Sequence, residues 1–108
     1  MGYRSNVKIA ARKGSQAQLE MDRLNTKHRM FETSEHTAGG TELVVYSNDY
    51  VKWYEDYDDV SEFDDLLSNE DYESDIEFLR IGEDLADIDH YNEMNGWLYV
   101  ETSIGVGY

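Results

Sequence analysis

Apolar and polar residues alternate strictly at the start of the chain. From Tyr3 to Ala11 every second side chain falls on the same side of an extended backbone, and Val7 and Ile9 make that side apolar. A period of two with one apolar face predicts a half-buried β-strand. Gly14-Ser15 breaks the alternation and predicts the end of this strand.

The following segments predict one helix and one hairpin. Apolar residues return at helical spacing after Ser15, a suitable N-cap, and predict a helix from Ser15 to about His28. Residues 30–36 and 41–47 then flank the turn 37–40, whose two glycines supply the positive φ angles of a tight turn. Asn48-Asp49 is predicted to end the second arm of this hairpin.

A second helix is predicted inside the most acidic part of the chain. Val60, Phe63 and Leu67 recur at helical spacing and give this helix a narrow apolar face. Asp58 or Asp59 can cap it, and acids in the first turn suit the positive end of the helix dipole. The acidic segment is therefore predicted to be a docked amphipathic helix and not a disordered tail.

The last third of the chain predicts two more strands. One covers residues 75–82 and the other starts at Trp97, while residues 85–96 fit either a long hairpin connection or a short helical turn. The order of elements matches a ferredoxin-like βαββαβ unit with an additional C-terminal strand. We predict one acidic α+β domain over residues 1–108, in which an antiparallel sheet carries two helices on one face.

Charge is distributed unevenly along this pattern. Residues 1–29 hold seven Lys or Arg against two acids, whereas residues 49–89 hold seventeen acids against Lys52 and Arg80. The net charge of −15 predicts repulsion from nucleic acid and anionic membranes, and basic protein surfaces as partners. No apolar run approaches the roughly 20 residues of a membrane span, and no secretory signal is expected. The absence of cysteine excludes thiol catalysis and suits a reducing cytoplasm.

Motifs for catalysis and metal binding are weak. There is no Gly-x-Ser-x-Gly motif, and the three histidines are scattered along the chain. Calcium-loop spacing fails from Asp56 and from Asp87, because the glycine position is Ser61 in one case and Asn92 in the other. We therefore predict no catalytic residues, no cofactor and no metal, and hence a protein that is not an enzyme. A loose divalent-ion site among the acids is left open.

Three motifs stand in the order in which one known family has them. They are MGYRSNVKIA at the start, VKWYEDYDDVSEFDDLL in the middle and FLRIGEDLADID later. The chain resembles a family of small, mostly uncharacterised tailed-bacteriophage proteins with MGYRS(D/N)V, VKWY before an acidic helix, and FxR(I/V)GED. The similarity covers most of the chain and is weakest over residues 12–41. It implies a phage origin and action in the host cytoplasm, but no catalytic residues; relatives often have proline where this chain has Asp58.

The acidic segment supports two hypotheses. In the first, it imitates DNA, because fifteen net negative charges correspond to about 25 Å of duplex. The protein would then inhibit a host or defence nucleic-acid-binding protein by occupying its basic groove, as small acidic phage proteins often do in host takeover and anti-defence. The candidate partner-binding residues are Trp53, Glu55, Asp56, Tyr57, Asp58, Asp59, Glu62, Asp65, Glu70 and Asp71. In the second hypothesis, the protein is a phage structural or assembly protein. Its acidic face then only keeps it soluble, or pairs with the basic N-terminal segment of a neighbour in a homo-oligomer.

Overall fold

The computed structural model describes residues 4–54, 56–83, 87–100 and 104–106. Its helices and strands are β1 (Ser5–Arg12), α1 (Gln16–His28), β2 (Glu32–Ala38), β3 (Thr41–Val51), α2 (Asp58–Leu67), β4 (Ile76–Ile81), β5 (Ile88–Tyr91), β6 (Leu98–Val100) and β7 (Ile104–Val106). Two short 3₁₀ helices, Glu70–Tyr72 and Glu93–Asn95, follow α2 and β5. The predicted α+β class is confirmed.

The strands form two antiparallel sheets. The main sheet has the order β2-β3-β1-β4-β5, so β1 lies at its centre, and β6 pairs with β7 in a separate two-stranded sheet. Both helices pack on one face of the main sheet, and the β6–β7 sheet covers the other. The described chain is therefore built of three layers, with the main sheet in the middle.

The predicted first helix and hairpin are confirmed, and local chemistry explains both. Ser15 is the N-cap of α1, where its hydroxyl accepts a hydrogen bond from the Gln18 amide at 3.1 Å. The helix ends at Arg29, which adopts a left-handed backbone with φ 52°. Between β2 and β3, Gly39 and Gly40 both have positive φ, as a two-residue turn of type I′ requires.

The predicted end of the second hairpin arm at Asn48-Asp49 is wrong, because β3 continues to Val51. Ser5 pairs with Val51 and Val7 pairs with Asn48, so β3 has one residue more than β1 between these pairs. The Asn48 side chain supports this bulge: its oxygen accepts from the Tyr50 amide at 2.9 Å, and its amide group bonds the loop before β2. An extra residue reverses which face the following side chains occupy, so Val51 points towards the helices.

Burial on both faces of the main sheet explains why its inner strands are so apolar. On the helix side, Met21 of α1 and Phe63 of α2 belong to the same buried cluster as Ile9 of β1. On the other side, the β6–β7 sheet packs against Leu43 and Leu79 of β3 and β4. Every residue of β4 is consequently buried, and β4 reads as a nearly continuous apolar run with two charges inside it.

The acidic segment forms the predicted amphipathic helix. The apolar residues of α2 that recur at helical spacing, including Phe63 and Leu67, are all buried. The predicted cap is wrong in detail, because Tyr57 occupies the N-cap position and makes no side-chain cap bond. Asp58 and Asp59 lie in the first turn instead, where the Asp59 carboxylate accepts from the Val60 amide at 2.8 Å.

The C-terminal part differs most from expectation. The single strand predicted from Trp97 is instead the pair β6 and β7, which forms its own sheet and adds no strand to the main one. Residues 85–96 could be assigned from the sequence neither to a hairpin connection nor to a helical turn. The described part of this segment forms β5 at the sheet edge and then a 3₁₀ helix. A buried carboxylate explains the change of layer: Glu77 of β4 accepts from the Trp97 and Leu98 amides at 2.8 and 3.2 Å.

Docking of α2 predicts a clear contrast between two identical substitutions. Leu67→Ala removes a buried side chain of α2, whereas Leu19→Ala removes one that is 58% exposed on α1. We expect Leu67→Ala to lower the free energy of unfolding by about 2–5 kcal/mol. Leu19→Ala should change it by less than about 0.5 kcal/mol. Urea denaturation followed by circular dichroism measures both, and equal losses would contradict the docked position of α2.

Candidate functional site

The outward side of α2 and the 3₁₀ helix after it carry four exposed acids. Asp58 and Asp65 are seven residues apart on α2, which places them on one side of the helix about 10 Å apart along its axis. Glu70 and Asp71 follow in the 3₁₀ helix and are also exposed. We call Asp58, Asp65, Glu70 and Asp71 the acidic surface. Within the described residues, none of these four carboxylates makes an ion pair.

Helix geometry fixes the positions of these charges. The side of α2 opposite Asp58 and Asp65 is held in the core by Phe63, whose ring packs on Phe31 with centroids 5.2 Å apart. Asp64 is fixed as well, because its carboxylate accepts from the Tyr91 hydroxyl at 3.1 Å. The acids of α2 are therefore presented on a rigid element and not on a mobile tail.

Glu62 belongs to α2 but is engaged inside the molecule. Its carboxylate binds the Lys27 ammonium at 2.7 Å and also contacts the His28 ring, so it joins α2 to the end of α1. Hydrogen bonding from Lys27, and then from His28, holds the pKa of Glu62 below its usual range. Of the candidate partner-binding residues that the structure describes, Glu62 is the one whose charge is balanced by an ion pair.

The two aromatic candidates lie in different environments. Trp53 is half-buried, and its ring packs against Phe78 with centroids 5.4 Å apart, so it belongs largely to the core. Tyr57 is 41% exposed and meets Tyr54 edge to face at 5.2 Å. Asp56, which lies between Trp53 and Tyr57 in the sequence, is exposed. Asp59 is half-buried, and Glu55 lies outside the described residues.

Basic residues near the N-terminus are paired with acids of the same chain. The pairs are Arg12 with Asp75, Lys13 with Glu35, Arg23 with Glu20, and Lys27 with Glu62. These contacts balance four acids of the chain, one of which, Glu62, lies on α2. The four carboxylates of the acidic surface are not among them.

Sequence reasoning missed two charged groups inside β4. Glu77 is fully buried and also bonds the His90 ring at 2.6 Å, so it supports the fold and adds nothing to a surface. The Arg80 guanidinium is held by Asp87 and Asp89 at 2.7 and 2.8 Å. Burial by itself would lower the pKa of Arg80, but its bonds to the two aspartates outweigh it and raise that pKa. Two charges inside the apolar run IEFLRI were the available signal, because buried charges need partners.

Neither the geometry nor comparison with known proteins assigns a chemical activity to these residues. Among the residues that the structure describes, no three acids or histidines are arranged to hold a metal ion. In the same part of the chain, no helix is long and apolar enough to cross a membrane. Comparisons with protein-family models, with curated proteins and with solved structures found no match to this chain. Functional inference therefore rests on charge, exposure and shape.

The bridge from α1 to Glu62 predicts a pH-dependent contribution to stability. Because the folded state lowers the pKa of Glu62, this contribution is present above the usual glutamate pKa and is lost as pH falls through the lowered value. We expect Glu62→Gln to lower the free energy of unfolding near neutral pH and to have progressively less effect below about pH 4. Urea titrations across this pH range measure the difference.

Asp65→Asn is the matched control, because Asp65 lies one turn along the same helix and has no ion-pair partner among the described residues. Its effect should be small at every pH. If Glu62→Gln and Asp65→Asn showed the same pH profile, the bridge would have no role in stability.

Proposed function

We propose that the protein is a phage-encoded binding protein, not an enzyme, that inhibits a host or defence nucleic-acid-binding protein. Its acidic surface would occupy the basic groove of that protein in the host cytoplasm. One observation carries the proposal: exposed carboxylates that have no ion-pair partner in the described part of the chain stand at fixed positions on a docked helix and on the turn that follows it. The proposed mode involves no direct contact with nucleic acid or membrane.

The density of charge supports a partial imitation of DNA. The molecule is 40 Å along its longest axis, a length over which duplex DNA carries about 24 phosphate charges. The whole chain carries a net charge of −15, which over the same length is about 60% of the DNA value. This is enough for a groove evolved to bind DNA to attract the protein over short distances at moderate salt.

The fixed positions of the carboxylates on α2 support specific binding in addition to general electrostatic attraction. A flexible acidic tail must lose conformational freedom when it binds, and that loss weakens its affinity. Asp58 and Asp65 are already ordered by the burial of α2, so less freedom remains to be lost on binding. Helix position also sets the spacing of the two carboxylates, which a partner's basic side chains can match.

Two broader inferences accompany this proposal. We propose that the chain derives from the tailed-phage family that it resembles, on the strength of its three motifs, and family membership is the reason for expecting a host target. We also propose a ferredoxin-like arrangement for β1 to β4 and the two helices. The support for it is the order β2-β3-β1-β4 with β1 antiparallel to both neighbours.

Inhibition through the acidic surface predicts binding that falls steeply with salt and competes with DNA. The wild type, immobilised, is used to capture proteins from host lysate at about 50 and 200 mM salt. The captured protein is then purified and titrated against the wild type and Asp58→Asn/Asp65→Asn, with duplex DNA as competitor. We expect the double variant to bind about tenfold more weakly, the loss of about 1.4 kcal/mol over two charge contacts.

The control is Glu32→Gln/Glu42→Gln, which removes the same charge from exposed positions on β2 and β3. It should bind like the wild type. Equal binding at both salt concentrations, or equal losses for the two double variants, would reject the acidic surface as the binding element.

The assembly hypothesis receives less support from the contacts. It requires the N-terminal bases to pair with a neighbour, but four of them already pair within the chain. We therefore expect light scattering at low salt to give the mass of one chain, 12.6 kDa. A larger mass at low salt that falls to this value at about 500 mM salt would instead favour charge pairing between subunits.

A further inference from the structure

A cleft of about 720 Å³ lies where the chain leaves β3 and enters α2. Trp53, Tyr54 and Tyr57 are among its lining residues, and we call it the aromatic cleft. Its volume falls in the range of about 300–1,000 Å³ that is typical of ligand sites. The acidic surface as defined above contributes none of its lining residues.

The cleft also has charged lining residues. Asp56, Asp87 and Asp89 line it together with Arg80, so the described part of the lining has two more negative than positive charges. Arg80 is a fixed part of this lining, because its side chain is only 10% exposed and also donates to the Ser5 hydroxyl at 2.9 Å. A cation is therefore attracted to the cleft, and an anion is repelled.

The carboxylates keep accepting capacity on the open side. Asp89 uses only its Oδ2 atom towards Arg80, and its side chain is 51% exposed. Asp56 is exposed and makes no ion pair within the described residues. An ionised carboxylate has about four acceptor sites, so both groups can receive further hydrogen bonds from an incoming donor.

The aromatic lining residues add a second kind of cation recognition. Tyr57 is 41% exposed, and its ring meets Tyr54 edge to face, so part of the paired rings faces solvent. Cations stack favourably on such faces. The chain uses this contact elsewhere, since the Arg4 guanidinium lies 4.7 Å from the centroid of the Tyr50 ring.

One chemical group satisfies rings and carboxylates together. A guanidinium is planar, stacks on aromatic faces and donates paired hydrogen bonds to carboxylates. A quaternary ammonium would leave the carboxylates without hydrogen bonds, and the lining residues include no metal-binding trio among those described. We infer that the aromatic cleft binds an arginine side chain of a partner protein, with its guanidinium stacked on Tyr57 and bonded to Asp56 and Asp89. The inference rests on the proposed function in that the arginine would belong to the partner's basic surface.

A peptide titration tests the cleft without the partner. The blocked peptides acetyl-Gly-Arg-Gly-amide, its lysine analogue and its neutral citrulline analogue are added to ¹⁵N-labelled protein while the indole N–H signals are recorded. Trp53 reports the cleft, and Trp97, 5% exposed on the other side of the main sheet, is the internal reference. We expect the arginine peptide to shift the Trp53 signal only and to bind at least about threefold more tightly than the lysine peptide. The citrulline peptide should not bind.

Variants distinguish the contribution of the tyrosine ring from general electrostatic attraction. Tyr57→Ala should weaken the arginine peptide about threefold or more, and Tyr57→Phe, which keeps the ring, should bind like the wild type. Asp56→Asn should weaken it as well, whereas Glu42→Gln removes the same charge from an exposed position of β3 and should not. An unchanged amide spectrum for Tyr57→Ala verifies that the variant is folded.

Three outcomes would overturn the inference that the cleft binds arginine. They are equal affinity for the citrulline and arginine peptides, no loss of affinity for the arginine peptide with Tyr57→Ala, and equal losses of affinity with Asp56→Asn and Glu42→Gln. The proposed function is judged separately by Asp58→Asn/Asp65→Asn and the captured partner. If the cleft failed while that double variant still lost its partner, only the cleft would be rejected. If the arginine peptide bound as expected while the double variant bound the partner as tightly as the wild type, the arginine site would be supported and the acidic surface would be rejected.

Discussion

The packing of Phe63 is the contact on which the acidic surface depends. Its ring lies against Phe31 and Trp53, with centroid distances of 5.2 and 6.4 Å, and holds α2 on the main sheet. A segment with so many acids and so few bases would otherwise gain too little burial to remain ordered. Apolar contacts on one side of α2 therefore determine whether the charges on its other side have fixed positions.

Charge has two different roles in this chain. Buried or paired charges organise the fold: Glu77 binds two amides of the C-terminal segment, Arg80 anchors the start of β5, and Glu62 joins the two helices. The exposed charges on the acidic surface make no ion pair within the described residues, and apart from Asp58 at the favourable end of α2 their mutual repulsion is a cost to the folded state. A group of charges that costs stability and is nevertheless rigidly held is the physical reason for attributing a binding role to it.

The aromatic residues divide in a similar way. Trp53 packs against the core, whereas Tyr57 stays partly exposed at the start of α2. In the sequence, these two aromatic residues are four positions apart in one motif, and nothing in the sequence distinguishes their environments. Their different environments place rings beside Asp56 and the Arg80 network, so that one cleft combines aromatic faces with carboxylates.

Local patterns were enough to predict the elements that depend on neighbouring residues. The Ser15 cap, the Gly39-Gly40 turn and the buried stripe of α2 are each encoded within a few positions, because hydrogen bonds and side-chain periodicity act at that range. The acidic candidates were also identifiable from composition. Composition could not show that one of them, Glu62, is neutralised by a lysine that is distant in the sequence.

The sequence by itself therefore determined the class of the fold, the helices and the concentration of acid between β3 and β5. Only the tertiary structure decided that β3 continues through a bulge to Val51, that the C-terminal strands form a second sheet, and that Glu77 is buried beneath them. Strand pairing and the burial of a charge depend on contacts between residues far apart in the chain. A pattern read along the chain contains no information about which distant groups will meet, so these features appear only when the layers have packed.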